Sequence, residues 1–168
     1  MWLIKLAGFL LMTGCGTYLG YKSGGKYKKR ERLLNETVLF CDSLINDITY
    51  LQLALKDMLK KRLNNYTELK PALFDYINLI ESKASLNIDS LRENITQGLF
   101  TDDEFSLFIQ LLDILGKSDS QTQRGGILSI KEALSIKQKT AVEEAQKFGG
   151  LFFKLGVLGG LAAGVIIL

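Results

Sequence analysis

The chain has 168 residues, with 21 lysines and arginines, 18 aspartates and glutamates, no histidine and two cysteines. A single proline and an ordinary content of charge exclude an intrinsically disordered chain and a disulfide-stabilised scaffold, and the length suits one modest domain. The mean hydropathy of +0.13 is high for a chain with 23% charged residues, and the apolar excess lies at the two ends.

Residues 1–21 and residues 148–168 each contain one charged side chain, Lys5 in the first segment and Lys154 in the second. As a helix, each segment would be about 31 Å long, which is the thickness of a bilayer hydrocarbon core. We therefore expect a transmembrane helix at each end of the chain. Between them, residues 22–147 hold 19 of the 21 basic residues and all 18 acidic ones, which is typical of a soluble domain.

Six basic residues directly follow the first apolar segment. They are Lys22, Lys26, Lys28, Lys29, Arg30 and Arg32. Because basic residues that flank a span are retained in the cytoplasm, this basic segment predicts a cytoplasmic middle domain with both termini outside. We expect the segment to contact membrane lipid rather than nucleic acid, since no aromatic platform or recognition helix accompanies it.

Two alternatives compete with this topology. The residues Met12 to Cys15 approximate a lipoprotein cleavage site, but the basic segment lies downstream of them, where it opposes export. The C-terminal segment could instead be a buried helix of the soluble domain, because only 14 uncharged residues follow Lys154. We favour a span, since the Lys154 side chain can reach the nearer interface.

Glycines recur at four-residue spacing in both apolar segments. They are Gly16, Gly20 and Gly24 in the first, and Gly156, Gly160 and Gly164 in the second. Such stripes let helix backbones approach closely in lipid, so we expect the two helices to pack on each other or on a neighbouring membrane protein. The simpler alternative is the general enrichment of glycine in membrane helices.

An unbroken apolar stripe follows the basic segment. Its members are Leu34, Val38, Cys41, Ile45, Ile48, Leu51, Leu55 and Met58. This spacing of three and four predicts one amphipathic helix over residues 27–62, which continues the first span after a break at Gly24 and Gly25.

Pro71 suits the first turn of a second helix. The expected apolar stripe of that helix is Leu73, Phe74, Ile77, Ile80 and Ala84. Asn87 or Asp89 would cap a third helix that carries Leu91, Ile95 and Leu99.

Thr101 and Glu104 have the spacing of a capping box, which predicts the start of a fourth helix that ends at Gly116. Ser118 or Asp119 would cap a fifth helix that runs on into the C-terminal span. The inward residues of these two helices are Phe105, Phe108, Ile109, Leu112 and Leu115, then Ile127, Ile130, Leu134, Ala141 and Ala145. No segment shows sustained period-two alternation, so the expected fold is all-α: an antiparallel bundle of five to six helices flanked by the N- and C-terminal transmembrane helices.

The sequence predicts no enzyme. Gly116-Lys117-Ser118 matches the end of a phosphate-binding loop, but that loop needs a glycine five positions earlier, where Leu111 stands. The absence of histidine removes the commonest general base and the commonest metal ligand. We therefore expect no catalytic residue, no cofactor and no metal.

A short motif links the fourth and fifth helices, and it consists of Leu115, Gly116, Ser118, Asp119 and Gln123. Together with the glycine-rich apolar tail and the basic segment, it resembles the stage III sporulation protein AB family of endospore-forming bacteria. A helix stop followed by a helix cap accounts for most of the motif. Gln123 is the member left over, and it either helps to fix the helix geometry or contacts a partner.

The resemblance implies a helical protein related to the cytoplasmic domains of type II secretion platform proteins. It also implies a place in the mother-cell membrane around the forespore, within a secretion-like channel, with a secretion-type ATPase (stage III sporulation protein AA) and other channel membrane proteins as partners. The expected function is that of a non-enzymatic adaptor that couples this ATPase to the membrane. The alternative is a membrane-surface scaffold that binds lipid and self-associates without an ATPase.

Overall fold

The computed structural model of the protein describes residues 2–48, 55–82, 99–115 and 120–167, and within these residues it is all-helical, with no strand. The helices are α1 (Trp2–Asn46), α2 (Leu55–Arg62), a 3-10 turn (Leu63–Asn65), α3 (Lys70–Ser82), α4 (Asp102–Ile114) and α5 (Ser120–Ile167). The all-α prediction is confirmed, whereas the arrangement as an antiparallel bundle of five to six helices stays a prediction.

Helix α1 is continuous from Trp2 to Asn46, so the predicted break at Gly24 and Gly25 is wrong. A glycine inside a helix costs about 1 kcal/mol relative to alanine, which is why the pair suggested a break. At Gly24, however, a Cβ atom would collide with the backbone of Gly149. The close approach of a second helix therefore offsets the cost of the glycine, and no residue with a side chain fits there.

The single helix predicted over residues 27–62 is also wrong, because the chain reverses direction between α1 and α2. Helix α1 ends at Asn46 in a π turn, and α2 begins at Leu55. The Arg62 guanidinium donates two hydrogen bonds to the carboxylate of Asp47, at 2.7 and 3.1 Å. In a straight helix these residues would lie about 22 Å apart. The apolar stripe is still explained on either side of the reversal, because α1 buries Val38 and Cys41 and α2 buries Met58.

Helix α3 begins at Lys70, so Pro71 lies in its first turn as predicted. Leu73 and Ile77 are buried as expected, but Phe74 is 52% exposed, which makes the predicted inward position of Phe74 wrong. The buried face runs instead through Tyr76, whose hydroxyl donates a 2.9 Å hydrogen bond to the Leu112 carbonyl. The predicted third helix falls largely within residues 83–98, outside the described residues.

The capping box that begins α4 is confirmed. The Thr101 amide donates to the Glu104 carboxylate at 2.8 Å, and the Glu104 amide donates to the Thr101 hydroxyl at 3.4 Å. The predicted inward positions of α5 are confirmed as well, and the buried ones are Ile127, Ile130, Leu134, Ala141 and Ala145.

The chain divides into two units. The terminal unit comprises Met1–Glu31 and Thr140–Leu168, and the central unit comprises Arg32–Lys139. Helices α1 and α5 each contribute to both units without interruption. The core of the central unit is built from large apolar side chains on all five helices, among them Phe40, Leu59, Leu73, Phe108 and Ile127.

Candidate functional site

Glycines of α1 and α5 face each other in the terminal unit. A Cβ atom at Gly16 would lie 2.7 Å from the Gly156 carbonyl oxygen and 2.9 Å from the Gly160 Cα. A Cβ atom at Gly160 would lie 2.9 Å from the Cα of Thr13. Since real Cβ atoms do not approach other atoms so closely, only glycine fits at these positions with the helices where they are. The predicted packing glycines Gly16, Gly156 and Gly160 are thus brought together in one contact.

The same contact extends in both directions, and its register shows that the two helices are antiparallel. Gly20 faces Gly156, at 3.0 Å between a built Cβ and the Cα. Towards the chain ends, Gly164 lies against the ring of Phe9, at 2.6 Å from a built Cβ to Cδ2. Backbone-to-backbone contact over several turns is the geometry that small-residue stripes give to membrane helices.

The outer surface of this helix pair is apolar. Its exposed large side chains are Trp2, Leu10, Leu11, Met12, Tyr18, Leu19, Tyr21, Leu151, Phe153, Leu155, Leu158, Leu161 and Val165. The hydroxyl groups of Thr13 and Thr17 donate to carbonyls of their own helix, at 2.9 and 2.8 Å, so they need no water. A surface of this kind is unfavourable in water and suits hydrocarbon.

Among the described helices, one is long and apolar enough to cross a membrane, and it is α5 over the range Gln121–Val165. Only 11% of its most apolar stretch is buried, whereas the core helix of a soluble protein would be mostly buried. The C-terminal segment therefore lies exposed in the terminal unit, contrary to the alternative of a buried helix in a soluble domain. The N-terminal span remains a prediction.

Aromatic rings and an ion pair join α1 and α5 beyond the glycines. The ring of Tyr27 lies 5.3 Å from that of Phe148 and stacks on that of Phe152 at 5.7 Å. One turn further along α1, the half-buried Arg30 forms an ion pair with Glu144. Glycine contact, aromatic cluster and ion pair follow one another along the same side of α1.

The structure divides the six residues of the basic segment into two sets. Lys22, Lys26 and Lys29 are exposed and form no ion pair with any described residue. Lys28 is also exposed and forms no such ion pair, but it lies on the side of α1 next to Gly149 of α5, whereas Arg30 and Arg32 are paired. The Lys28 methylenes lie 3.5 Å from a Cβ built at Gly149, Arg30 pairs with Glu144, and Arg32 bonds Glu68 at 3.3 Å.

The predicted motif between α4 and α5 is only partly described. Leu115 is buried at the end of α4, and Gln123 is half-buried in the first turn of α5. Gly116, Ser118 and Asp119 lie outside the described residues. The roles predicted for this turn therefore stay predictions.

The sequence analysis missed two buried carboxylates of the central unit. Glu36 on α1 accepts hydrogen bonds from three consecutive backbone amides ahead of α3, those of Thr67, Glu68 and Leu69, at 2.8 to 3.1 Å. Asp47 is 1% exposed and is paired with Arg62. The signal for Glu36 was present in the sequence, because it stands three residues after Leu33 and four before Phe40, which places it on the same side of the helix as those apolar residues.

The described residues offer no arrangement suited to catalysis. They contain no group of three or more histidine, cysteine, aspartate or glutamate residues that could hold a metal ion. Burial raises the pKa of the Cys41 thiol to about 12, which leaves it protonated and poorly nucleophilic at neutral pH. Burial also raises the pKa of Tyr76 to about 12.

Comparison with protein families gives one result that covers nearly the whole chain. The family model described as stage III sporulation protein AB matches residues 5–168. The resemblance noted in the sequence is thereby confirmed. Searches of curated proteins and of solved structures return no match.

Proposed function

The chain belongs to the stage III sporulation protein AB family and thus has a role in stage III of sporulation, and we propose that it acts there as a non-enzymatic, membrane-anchored adaptor. In this proposal the terminal unit crosses the membrane around the forespore as a pair of antiparallel helices. The central unit lies in the mother-cell cytoplasm, within a secretion-like channel that links the mother cell to the forespore.

The observation that carries the proposal is the apolar outer surface of the glycine-faced helix pair. In water, this surface would expose more than a dozen large apolar side chains on two neighbouring helices. In a bilayer the same side chains contact hydrocarbon, and the glycine contact supplies the close packing that holds membrane helices together. A membrane anchor of two helices therefore accounts for both faces of the pair.

The basic segment supports the proposed orientation. Its residues follow the apolar part of α1 directly, and the second apolar segment is preceded by Lys137, Lys139 and Lys147. Positive charge flanks both helices on the side of the central unit, as expected when that side is cytoplasmic. Both termini would then lie outside.

Charge supports a basic partner for the central unit. Residues 33–147 carry 17 acidic and 13 basic side chains, so the region beyond the basic segment is mildly acidic. Complementary charge speeds and orients the encounter of two proteins. We propose that the partner is a secretion-type ATPase like stage III sporulation protein AA, and that other channel proteins contact the membrane helices.

A binding measurement with the purified ATPase tests the coupling. The full chain, in mild detergent, is incubated with the ATPase from the same organism, and binding is measured by interferometry. Gln123→Ala should weaken binding if the turn is a docking element, whereas Gln110→Ala on the exposed side of α4 should not. A folded chain that fails to bind a folded ATPase would contradict the coupling and favour a membrane-surface scaffold.

A further inference from the structure

We propose that Lys22, Lys26 and Lys29 form a binding surface for the headgroups of anionic phospholipids. The inference rests on the proposed membrane anchor and identifies which residues of the basic segment meet the lipid. It also narrows the expectation from sequence, which treated all six basic residues of that segment as equivalent.

The three lysines lie on one face of α1, away from the partner helix. At 3.6 residues per turn they fall within an arc of about 60°. Gly16, Gly20 and the ring of Tyr27, which contact α5, are centred about 130° around the helix from the middle of that arc. The lysine face is therefore turned outward when α1 and α5 are paired.

Among the described residues, no ion pair joins these lysines to a carboxylate of the terminal unit. Glu144 is already paired with Arg30, which lies about 40° beyond Lys26 around the helix. Glu31, the one acidic residue of the basic segment, lies about 180° from Lys22 around the helix. Three exposed ammonium groups thus remain without an ion pair among the described residues.

The position along α1 matches the headgroup layer. Tyr18 and Tyr21 are 64% and 71% exposed and mark the end of the apolar surface, and tyrosine favours the membrane interface. From Lys22 to Lys29 the helix rises about 10 Å. The headgroup region adds roughly 5 to 8 Å to each side of the hydrocarbon core, so the three lysines span that layer.

The shape of the surface favours lipid over a soluble anion or nucleic acid. The three lysines follow one another along about 10 Å of the helix, so they form a row. The row continues directly from an apolar surface, which a bilayer can cover at the same time and a nucleic acid cannot. Anionic headgroups packed side by side in one leaflet are the partner with both properties.

Electron paramagnetic resonance of spin-labelled lipid tests the proposal. The full chain is reconstituted in phosphatidylcholine bilayers with a trace of labelled phosphatidylglycerol or labelled phosphatidylcholine, and the relative affinity of the two for the protein boundary is measured. We expect the wild-type chain to prefer phosphatidylglycerol. In K22Q/K26Q/K29Q that preference should fall by roughly fivefold or more, since fivefold is the effect of one lysine at an anionic surface. The control K61Q/K70Q/R124Q removes the same charge from exposed positions of the central unit and should retain the preference.

Four results would overturn the proposal. One is a triple variant that keeps the wild-type preference. Another is an inserted wild-type chain without any lipid preference. The third is a lipid preference that millimolar inorganic phosphate abolishes. The fourth is binding of a duplex oligonucleotide in place of the lipid preference, if the triple variant loses that binding. If alkaline carbonate extracts the wild-type chain from the bilayer, the membrane anchor itself fails, and this outcome is distinct from an inserted chain that ignores lipid charge.

Discussion

Replacing Gly160 with leucine should push α1 and α5 apart in the terminal unit. A Cβ atom at Gly160 would lie 2.9 Å from the Thr13 Cα, 3.1 Å from the Thr13 carbonyl oxygen and 3.2 Å from that of Met12. All three are backbone atoms, which cannot turn aside as the end of a flexible side chain can. The neighbouring Gly159 has nothing within 4 Å of its Cβ position, so Gly159→Leu is a matched control one residue away.

The size of the effect follows from these distances. Ordinary contact of a Cβ atom begins at 3.4 Å, so alanine at Gly160 already requires the helices to separate by about 0.5 to 1 Å. Leucine adds three further carbon atoms and should bring the axes to the 8–10 Å typical of helices with large side chains at the contact. We expect an increase of about 2 Å in the distance between the helices and a cost of about 1 to 3 kcal/mol in pairing free energy.

Double electron–electron resonance in lipid nanodiscs measures this separation. Spin labels are placed on cysteines introduced at Tyr18 and Leu158, which are exposed on α1 and α5. Cys15 is replaced by serine, and Cys41 can stay because it is buried. The Gly160→Leu chain should show a longer and broader distance distribution, and the Gly159→Leu chain should match the parent. Equal distributions for the two leucine variants would refute the close glycine contact.

Three further predictions concern the central unit. Glu36→Ala leaves three backbone amides without their acceptor and should lower the free energy of unfolding by about 1 to 3 kcal/mol. The melting temperature of the full chain should fall by roughly 2 to 4 °C for each kcal/mol. An unchanged melting temperature would contradict the role of that carboxylate. Hydrogen bonds from Lys60 and Lys56 lower the pKa of Glu81 to about 2. The stabilising effect of the Glu81 carboxylate should therefore be complete above about pH 4.5 and be lost as the pH falls towards 2. Glu81→Gln should flatten the acid limb of the stability profile measured by circular dichroism. Burial raises the pKa of Cys41 to about 12. A Cys15→Ser chain should therefore take up no maleimide at pH 8 until it is unfolded. Rapid labelling of the folded chain would show that Cys41 is accessible.

Local rules predicted the elements that depend on local chemistry. The capping box at Thr101 satisfies two backbone amides within four residues, so the sequence is enough to place the start of α4. The stripe of α5 is equally local, because residues three and four apart share a helix face whatever that face contacts. The family resemblance likewise depended on a short motif.

Tertiary contacts decided the rest. No sequence feature near Gly24 indicates that the backbone of a second helix packs against it, and this contact is what allows α1 to continue without a break. The apolar spacing of the sequence is unbroken across the reversal after Asn46, and Arg62 returns to Asp47 only in the folded chain. Likewise, the basic residues look alike in sequence, and only the folded structure shows that Arg30 and Arg32 are paired, that Lys28 lies beside α5 and that the other three lysines face away from it.

The orientation of the chain in the membrane is the most direct test of the proposed anchor. Single cysteines replace Trp2, Lys139 or Leu168 in a Cys15→Ser chain expressed in growing cells, and each is treated with a maleimide that cannot cross membranes. We expect labelling of the two terminal positions in intact cells, and labelling of position 139 only after the cells are permeabilised. Labelling of position 139 in intact cells would place the central unit outside and contradict the proposed function.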